Sequence, residues 1–133
     1  LWLDWAQIAF MNIYGYEWQG DNLLLAREAL LWTFIEYYQA KFGKAPLVKS
    51  INYIAYIVSW NLWQMDGLKG VVPDSCTDGV PIPVQTLFGE EFRVEYCDGC
   101  QQDDIRRHNG TYCLIRDWPN NKKKIRFIDL IKR

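Results

Sequence analysis

Hydrophobic residues recur at helical spacing through much of the first half of the chain. They predict three helices, which lie over Leu1–Met11, Leu23–Phe42 and Val48–Ser59. Gly43 directly follows the long second helix. Helices commonly end at a glycine, because glycine readily adopts the left-handed backbone conformation. Short apolar stretches between and after the helices predict two strands, over Asn12–Trp18 and Trp60–Asp66. This alternation of strands and helices is typical of an α/β domain with a parallel sheet.

The second half is punctuated by proline and glycine, and the hydrophobic pattern changes to that of short strands. Two antiparallel pairs are predicted, the first over Ile82–Phe88 and Phe92–Tyr96, the second over Thr111–Trp118 and Lys124–Ile131. The change of pattern predicts two parts with a boundary near residue 72. Residues 1–72 would form a partial α/β cofactor-binding region, and residues 73–133 a β-rich segment with a CxxC motif and a basic tail.

An acidic residue closes each of the two predicted parallel strands. Glu17 lies at the end of the first and Asp66 at the end of the second. Ligands of doubly wound sheets bind beyond the carboxyl ends of the strands, where a carboxylate can accept hydrogen bonds from both ribose hydroxyls of a nucleotide. An acid there could also accept from an exocyclic amine. The alternative is that both residues are ordinary capping or strand-end acids.

Two sequence motifs resemble those of the adenine-specific DNA methyltransferases of bacterial type II restriction-modification systems. The first is Ile13-Tyr14-Gly15-Tyr16-Glu17-Trp18-Gln19-Gly20-Asp21-Asn22, which precedes a helix containing Ala26-Arg27-Glu28-Ala29-Leu30. The second is Trp60-Asn61-Leu62-Trp63-Gln64-Met65-Asp66-Gly67-Leu68. The resemblance covers Asn12–Val72, about half of the chain.

The resemblance implies a partial Rossmann-like sheet that binds S-adenosylmethionine. Glu17 would hold the ribose of this cofactor and Asp66 its adenine amine, while Trp18 and Met65 would line the adenine pocket. The larger enzyme would transfer a methyl group to the exocyclic amine of adenine in DNA. DNA and the remainder of a larger or split methyltransferase are therefore the implied partners, and the bacterial cytoplasm is the implied location.

Two elements of that family are absent from the sequence. The glycine-rich motif that cradles the methionine end of the cofactor would precede Leu1, and the catalytic Asn-Pro-Pro-Tyr signature does not occur. Base flipping into an active site requires the missing catalytic loop. The chain is therefore expected to supply cofactor contacts without methylating DNA alone. Because it begins at Leu1 and not at methionine, it is expected to be a piece of a longer protein or a processed one.

Four cysteines and the one histidine all lie in the second half. Cys97 and Cys100 form a CxxC motif, which supplies two zinc ligands with a suitable bite. His108 and Cys113 complete the Cys₃His set that we predict, and Cys76 is the alternative that would make a Cys₄ set. With four protein ligands such a zinc would be structural. Buried reduced thiols, a disulfide or a redox CxxC remain alternatives, although the residues after Cys97 predict a loop and not the helix of a redox site.

Charge is distributed unevenly along the 133 residues. Residues 1–105 carry 6 Lys and Arg against 14 Asp and Glu, whereas residues 106–133 carry 9 against 2. The basic end either contacts an anion such as DNA or folds back on the acidic body. The candidate phosphate-binding residues are Arg106, Arg107, Lys122, Lys123, Lys124 and Arg126. For the lysines the alternative is a solvated turn.

Aromatic residues make up 16% of the chain. They could stack on bases, but at helical spacing, as for Trp32, Tyr37 and Tyr38, core or interface packing is the expected role. Aromatic residues left uncovered would favour self-association. No secretory signal and no apolar run long enough to span a bilayer is visible, so no membrane partner is expected. A zinc-binding nucleic-acid or protein interaction module without catalytic activity is the alternative function.

Overall fold

A computed structural model describes residues 1–131. These residues form a mixture of helices and short strands. The helices are α1 (Trp2–Met11), α2 (Gly20–Phe42), α3 (Val48–Asn61), α4 (Asp98–Gln102) and a 3₁₀ turn (Phe127–Leu130). The strands are β1 (Gly15–Glu17), β2 (Leu62–Gln64), β3 (Val80–Thr86), β4 (Gly89–Glu95), β5 (Leu114–Asp117) and β6 (Lys123–Arg126). The predicted mixture of helices and strands is thus confirmed.

The strands form three separate two-stranded sheets within the described residues. β1 and β2 are parallel, with Gly15 opposite Leu62 and Glu17 opposite Gln64. β3 and β4 form an antiparallel hairpin, and β5 pairs with β6. The parallel pairing of the first two strands agrees with the prediction. Both strands are shorter than predicted, and β2 begins only at Leu62 because Trp60 and Asn61 still belong to α3.

The chain divides into two compact units. The first unit comprises Leu1–Gln64 and Leu114–Ile125, and the second comprises Met65–Cys113 and the chain from Arg126 onward. The division differs from the predicted boundary near residue 72 for a physical reason. The segment with β5 carries Trp118, which belongs to the buried core of the first unit, so long-range packing assigns it there.

The core of the first unit lies between α1, α2 and α3. Its buried residues are Phe10, Leu23, Phe34, Ile54, Ile57, Val58, Leu62 and Trp118. Tyr38 packs against Phe34, as its helical spacing predicts, whereas Trp32 and Tyr37 are exposed. The reason is that α2 carries apolar residues around most of its circumference, and a helix buries only the side that meets its neighbours.

Gly43 ends α2 in the left-handed conformation, with φ of 67°, and its N–H donates to the carbonyl of Gln39. This is the helix end that the sequence predicts. None of the helices formed by residues 1–131 combines the length and the apolar character that crossing a bilayer requires.

Candidate metal centre

Four potential metal ligands converge in the second unit: Cys76, Cys97, Cys100 and His108. Cys76 lies in the loop before β3. Cys97 follows β4 and is the N-terminal cap of α4, which also carries Cys100. His108 lies in the loop after α4. Their ligand atoms all lie within 4.8 Å of one another, so the group could hold a metal ion.

The distances at His108 match tetrahedral coordination. Its Nδ1 lies 3.6 Å from the sulfur of Cys76, 3.5 Å from that of Cys97 and 3.6 Å from that of Cys100. Zinc–sulfur bonds of about 2.3 Å and zinc–nitrogen bonds of about 2.0 Å at tetrahedral angles place nitrogen and sulfur about 3.5 Å apart. One ring nitrogen has one proton or one lone pair, so it cannot form three equal hydrogen bonds. Three nearly equal distances are the arrangement that a shared cation would require.

Two glycines allow the ligands to come this close. A Cβ at Gly99 would lie 2.6 Å from the backbone nitrogen of His108 and 2.7 Å from its Nδ1. A Cβ at Gly110 would lie 2.9 Å from the sulfur of Cys76. Neither glycine needs a positive φ, so their role here is close approach and not backbone freedom.

Hydrogen bonds between the loops fix the positions of the ligands. The side chain of Asn109 accepts from the backbone N–H of Thr77 at 3.0 Å and donates to the carbonyl of Thr77 at 2.9 Å. The N–H of His108 donates to the hydroxyl of Tyr112, which in turn donates to the carbonyl of Ile105. The Cys76 loop and the His108 loop are therefore held to each other independently of a metal.

Backbone groups around Cys97 stabilise its thiolate, the form that binds metal. Burial raises the pKa of Cys97, but the N–H of Asn109, which lies 3.2 Å from the sulfur, the N–H of Cys100 and the His108 ring outweigh this effect and lower it to about 6. Burial and the neighbouring Cys97 raise the pKa of Cys76 to about 11. One sulfur is therefore ready to bind a cation at neutral pH, and the bound cation would have to displace the proton of the other.

Charged residues surround the four ligands. The interaction of the Lys69 ammonium with Cys100 raises the pKa of Lys69. The carboxylate of Asp78 accepts from the N–H of Cys97 and from the side chain of Gln101, and these bonds lower the pKa of Asp78. A divalent cation with three thiolates and one imidazole has a net charge of −1, so Lys69 offsets the excess negative charge.

The structure brings together three of the four predicted ligands and takes Cys76 as the fourth in place of Cys113. Cys113 is buried, and its N–H donates to the carbonyl of Gly70 at 3.1 Å. No disulfide joins any of the four cysteines, which all lie within residues 1–131. A sequence signal for Cys76 did exist. Cys76 precedes the β3–β4 hairpin and Cys97 follows it. Because the two ends of a hairpin lie side by side, the residues that flank a predicted hairpin are expected to lie close together.

The loop predicted after Cys97 is instead the short helix α4. The sequence argument against a redox CxxC therefore fails, since a thiol at a helix start is typical of redox sites. What distinguishes this cluster from a dithiol redox pair is the third sulfur and the imidazole at coordination distance.

The predicted cofactor residues are divided between the two units. In the first unit, the carboxylate of Glu17 accepts from the backbone N–H of Gln19, and the carbonyl of Trp18 accepts from the side chain of Gln64. In the second unit, Met65 is buried and the carboxylate of Asp66 accepts from the backbone N–H groups of Leu68 and Lys69. Both acids thus accept hydrogen bonds from nearby backbone N–H groups, and their role at a cofactor stays a prediction.

The candidate phosphate-binding residues also fall into both units. In the second unit, Arg107 pairs with Asp98 at 2.9 Å, and Arg106 and Arg126 both pair with Asp129. In the first unit, three exposed lysines follow β5, namely Lys122, Lys123 and Lys124. Lys122 lies over the ring of Tyr53 and Lys124 over that of Trp60. All three arginines are therefore engaged with carboxylates of the chain itself.

Comparison with known proteins gives no relative: no protein-family model, no curated protein and no solved structure matches the chain.

Proposed function

We propose that the second unit is a zinc-stabilised protein interaction module, in which Cys76, Cys97, Cys100 and His108 bind one structural Zn²⁺. The observation that carries the proposal is the set of nearly equal distances from Nδ1 of His108 to three sulfurs. Thiolate and imidazole ligands in tetrahedral geometry favour zinc over calcium or magnesium, which prefer oxygen ligands. Four protein ligands leave no position for a reactive water, so the role of the ion would be structural.

A protein partner fits this unit better than a nucleic acid. Phosphate binding needs lysine and arginine side chains that are available to neutralise phosphates. In this unit Arg106, Arg107 and Arg126 already pair with carboxylates. The β3–β4 hairpin, in contrast, exposes large apolar side chains, which is typical of a protein-binding surface.

The test is the zinc content of the purified chain and two matched cysteine variants. We expect one zinc ion per chain by native mass spectrometry, with loss of the ion in Cys76→Ser and its retention in Cys113→Ser. Both variants replace one sulfur of the second unit by oxygen. General destabilisation alone would therefore not give the two variants different zinc contents. A Cys113→Ser variant that loses zinc, with a Cys76→Ser variant that keeps it, would refute the ligand set.

A second proposed function is the S-adenosylmethionine-binding part of an adenine-specific DNA methyltransferase. One observation favours it: the strands that carry the two resembling motifs, β1 and β2, pair in parallel after a helical crossover. Adjacent parallel strands with helical connections are the building unit of nucleotide-binding sheets. The proposal assigns the cofactor ribose to Glu17 and the adenine amine to Asp66, with Trp18 and Met65 at the adenine, and the catalytic loop to another chain or segment.

This second proposal is tested by native mass spectra with and without added S-adenosylmethionine. We expect a cofactor adduct that Glu17→Gln and Asp66→Asn each weaken. The amide variants are chosen because the asparagine oxygen can still accept from Leu68 and Lys69, so the turn at Asp66 keeps its hydrogen bonds. An adduct that both variants leave unchanged would remove these residues from the cofactor site.

A further inference from the structure

The β3–β4 hairpin has two very different edges. β3 contains Pro81 and Pro83, and the pairing of β3 with β4 nevertheless runs without interruption through seven residue pairs. A proline nitrogen carries no hydrogen. An unbroken ladder through two prolines therefore requires that their nitrogens face away from β4. The outer edge of β3 thus lacks two of its donors and is protected against the addition of a strand.

The outer edge of β4 has no such protection. Hydrogen-bonded and non-hydrogen-bonded residue pairs alternate along an antiparallel ladder. Because the prolines occupy non-hydrogen-bonded pairs, the N–H and C=O groups of Glu90, Phe92 and Val94 in β4 face outward. Within residues 1–131, β4 pairs with β3 alone. An isolated two-stranded hairpin is marginally stable in water. Of the two edges of this hairpin, that of β4 is therefore the one that can accept another strand.

The second half of β4 is apolar on one face and charged on the other, and Glu90 precedes the apolar residues on their face. Phe92 and Val94 share a face with the prolines opposite them in β3, and Tyr96, the residue directly after β4, follows at the same two-residue spacing. These three residues are exposed, Phe92 to 69%. The other face carries Glu91, Arg93 and Glu95, so negative and positive side chains alternate along it.

We propose that two copies of this chain associate through the outer edges of β4, forming a four-stranded antiparallel sheet around a two-fold axis at Val94. In this register Val94 faces Val94 of the second copy, and Phe92 faces its Tyr96. Arg93 faces Glu95 of the second copy, twice by symmetry. The β4 edge is therefore complementary to itself in both hydrophobic pattern and charge, as an isologous interface requires.

Charge reversal tests the register by sedimentation velocity on the full, zinc-loaded chain over a range of concentrations. Arg93→Glu and Glu95→Arg should each weaken dimerisation by about tenfold or more, because each replaces two opposite-charge pairs by like-charge pairs. The double variant, Arg93→Glu with Glu95→Arg, should restore the dimer, because the pairs form again with reversed sign. If Glu95→Arg leaves association unchanged, or if the double variant stays monomeric, this register is overturned.

Proline substitutions test the edge itself. Val94→Pro removes an outward N–H of β4 and should abolish dimerisation, whereas Gln85→Pro removes an outward N–H from the already blocked edge of β3 and should leave it intact. Both substitutions place proline at a position that does not bond within the hairpin, so they are matched for folding. Equal zinc content of the two variants verifies that both are folded. A wild-type chain that stays monomeric, or a dimer that survives Val94→Pro, overturns the proposal.

Discussion

At the scale of single residues, glycine and asparagine determine whether the metal ligands can meet. Gly99 gives His108 room, and Asn109 bonds the Cys76 loop to the His108 loop through its side chain. Neither residue is a ligand, and neither has a motif by which sequence analysis would find it. They matter because a coordination sphere tolerates displacements of only a few tenths of an ångström.

Replacing Gly99 by alanine should therefore weaken metal binding. The new Cβ would meet both the backbone and the ring of His108, so the ligand has to shift. We expect a loss of stability of about 1–3 kcal/mol, typical of overpacking, together with faster transfer of zinc to a chelating dye. Gly15→Ala is the control, because its Cβ would meet only Leu62 Cγ at an ordinary 3.7 Å. A Gly99→Ala protein that retains zinc as tightly as wild type would contradict this role.

At the scale of elements, one buried asparagine joins three of them. Asn61, the last residue of α3, is 0% exposed. Its Nδ2 donates to the carbonyls of Phe10 and Met11 at the end of α1, and its Oδ1 accepts from the indole N–H of Trp118. The carbonyls at a helix end lack partners within the helix. Asn61 thus has a structural role that accounts for its position in the second resembling motif without a cofactor.

Substitution of Asn61 by leucine should destabilise the first unit. It keeps a similar volume but removes the amide that the Met11 carbonyl and the Trp118 indole bond, whereas the Phe10 carbonyl still accepts from the N–H of Ile13; the expected cost is about 3 kcal/mol. Urea unfolding followed by far-ultraviolet circular dichroism measures this loss. Asn52→Leu, at an exposed position of the same helix, should change stability little. Equal midpoints for the two variants would show that the hydrogen bonds of Asn61 contribute nothing.

Arg27 has a comparable role between elements. Its guanidinium donates to the carbonyls of Ser59 and Leu62, at the end of α3 and the start of β2. Burial lowers the pKa of Arg27. By bonding these carbonyls, an arginine on α2 helps to fix the position at which α3 ends and β2 begins. The resemblance to methyltransferases draws attention to this residue, and the structure gives it a packing function.

At the scale of the whole molecule, the two units differ in how many apolar residues they bury. The first unit has a continuous apolar core built from three helices. In the second unit, buried residues such as Val71 and Ile128 are few, and two of its buried side chains are cysteines. A small domain with a limited core commonly requires a metal or disulfides.

Removal of the metal should therefore unfold one unit before the other. We expect a chelator to abolish amide protection in α4 and in the loop that carries His108, while the amides of α2 and α3 remain protected. Hydrogen exchange read by mass spectrometry resolves these segments, and adding zinc back should restore the original pattern. Equal loss of protection in all helices, or no change in α4, would contradict a structural metal.

Much of the local structure follows from the sequence alone. The apolar spacing predicts α1, α2 and α3, and Gly43 predicts where α2 ends, because helices depend on contacts between residues three or four positions apart. The hairpin strands are predicted over Ile82–Phe88 and Phe92–Tyr96, whereas in the structure Leu87 and Phe88 form the turn and are almost fully exposed. CxxC followed by a histidine predicts a metal site, since two ligands three residues apart already have the required bite.

The tertiary structure decided what depends on contacts between residues distant in the chain. It brings Cys76 and not Cys113 into the cluster that could hold a metal ion, because the β3–β4 hairpin brings its two ends together. Cys113 is buried outside that cluster. It also assigns Leu114–Ile125 to the first unit through the packing of Trp118. Spacing along the chain carries no information on these contacts. They are set by which surfaces can be buried together, and that is a property of the assembled elements.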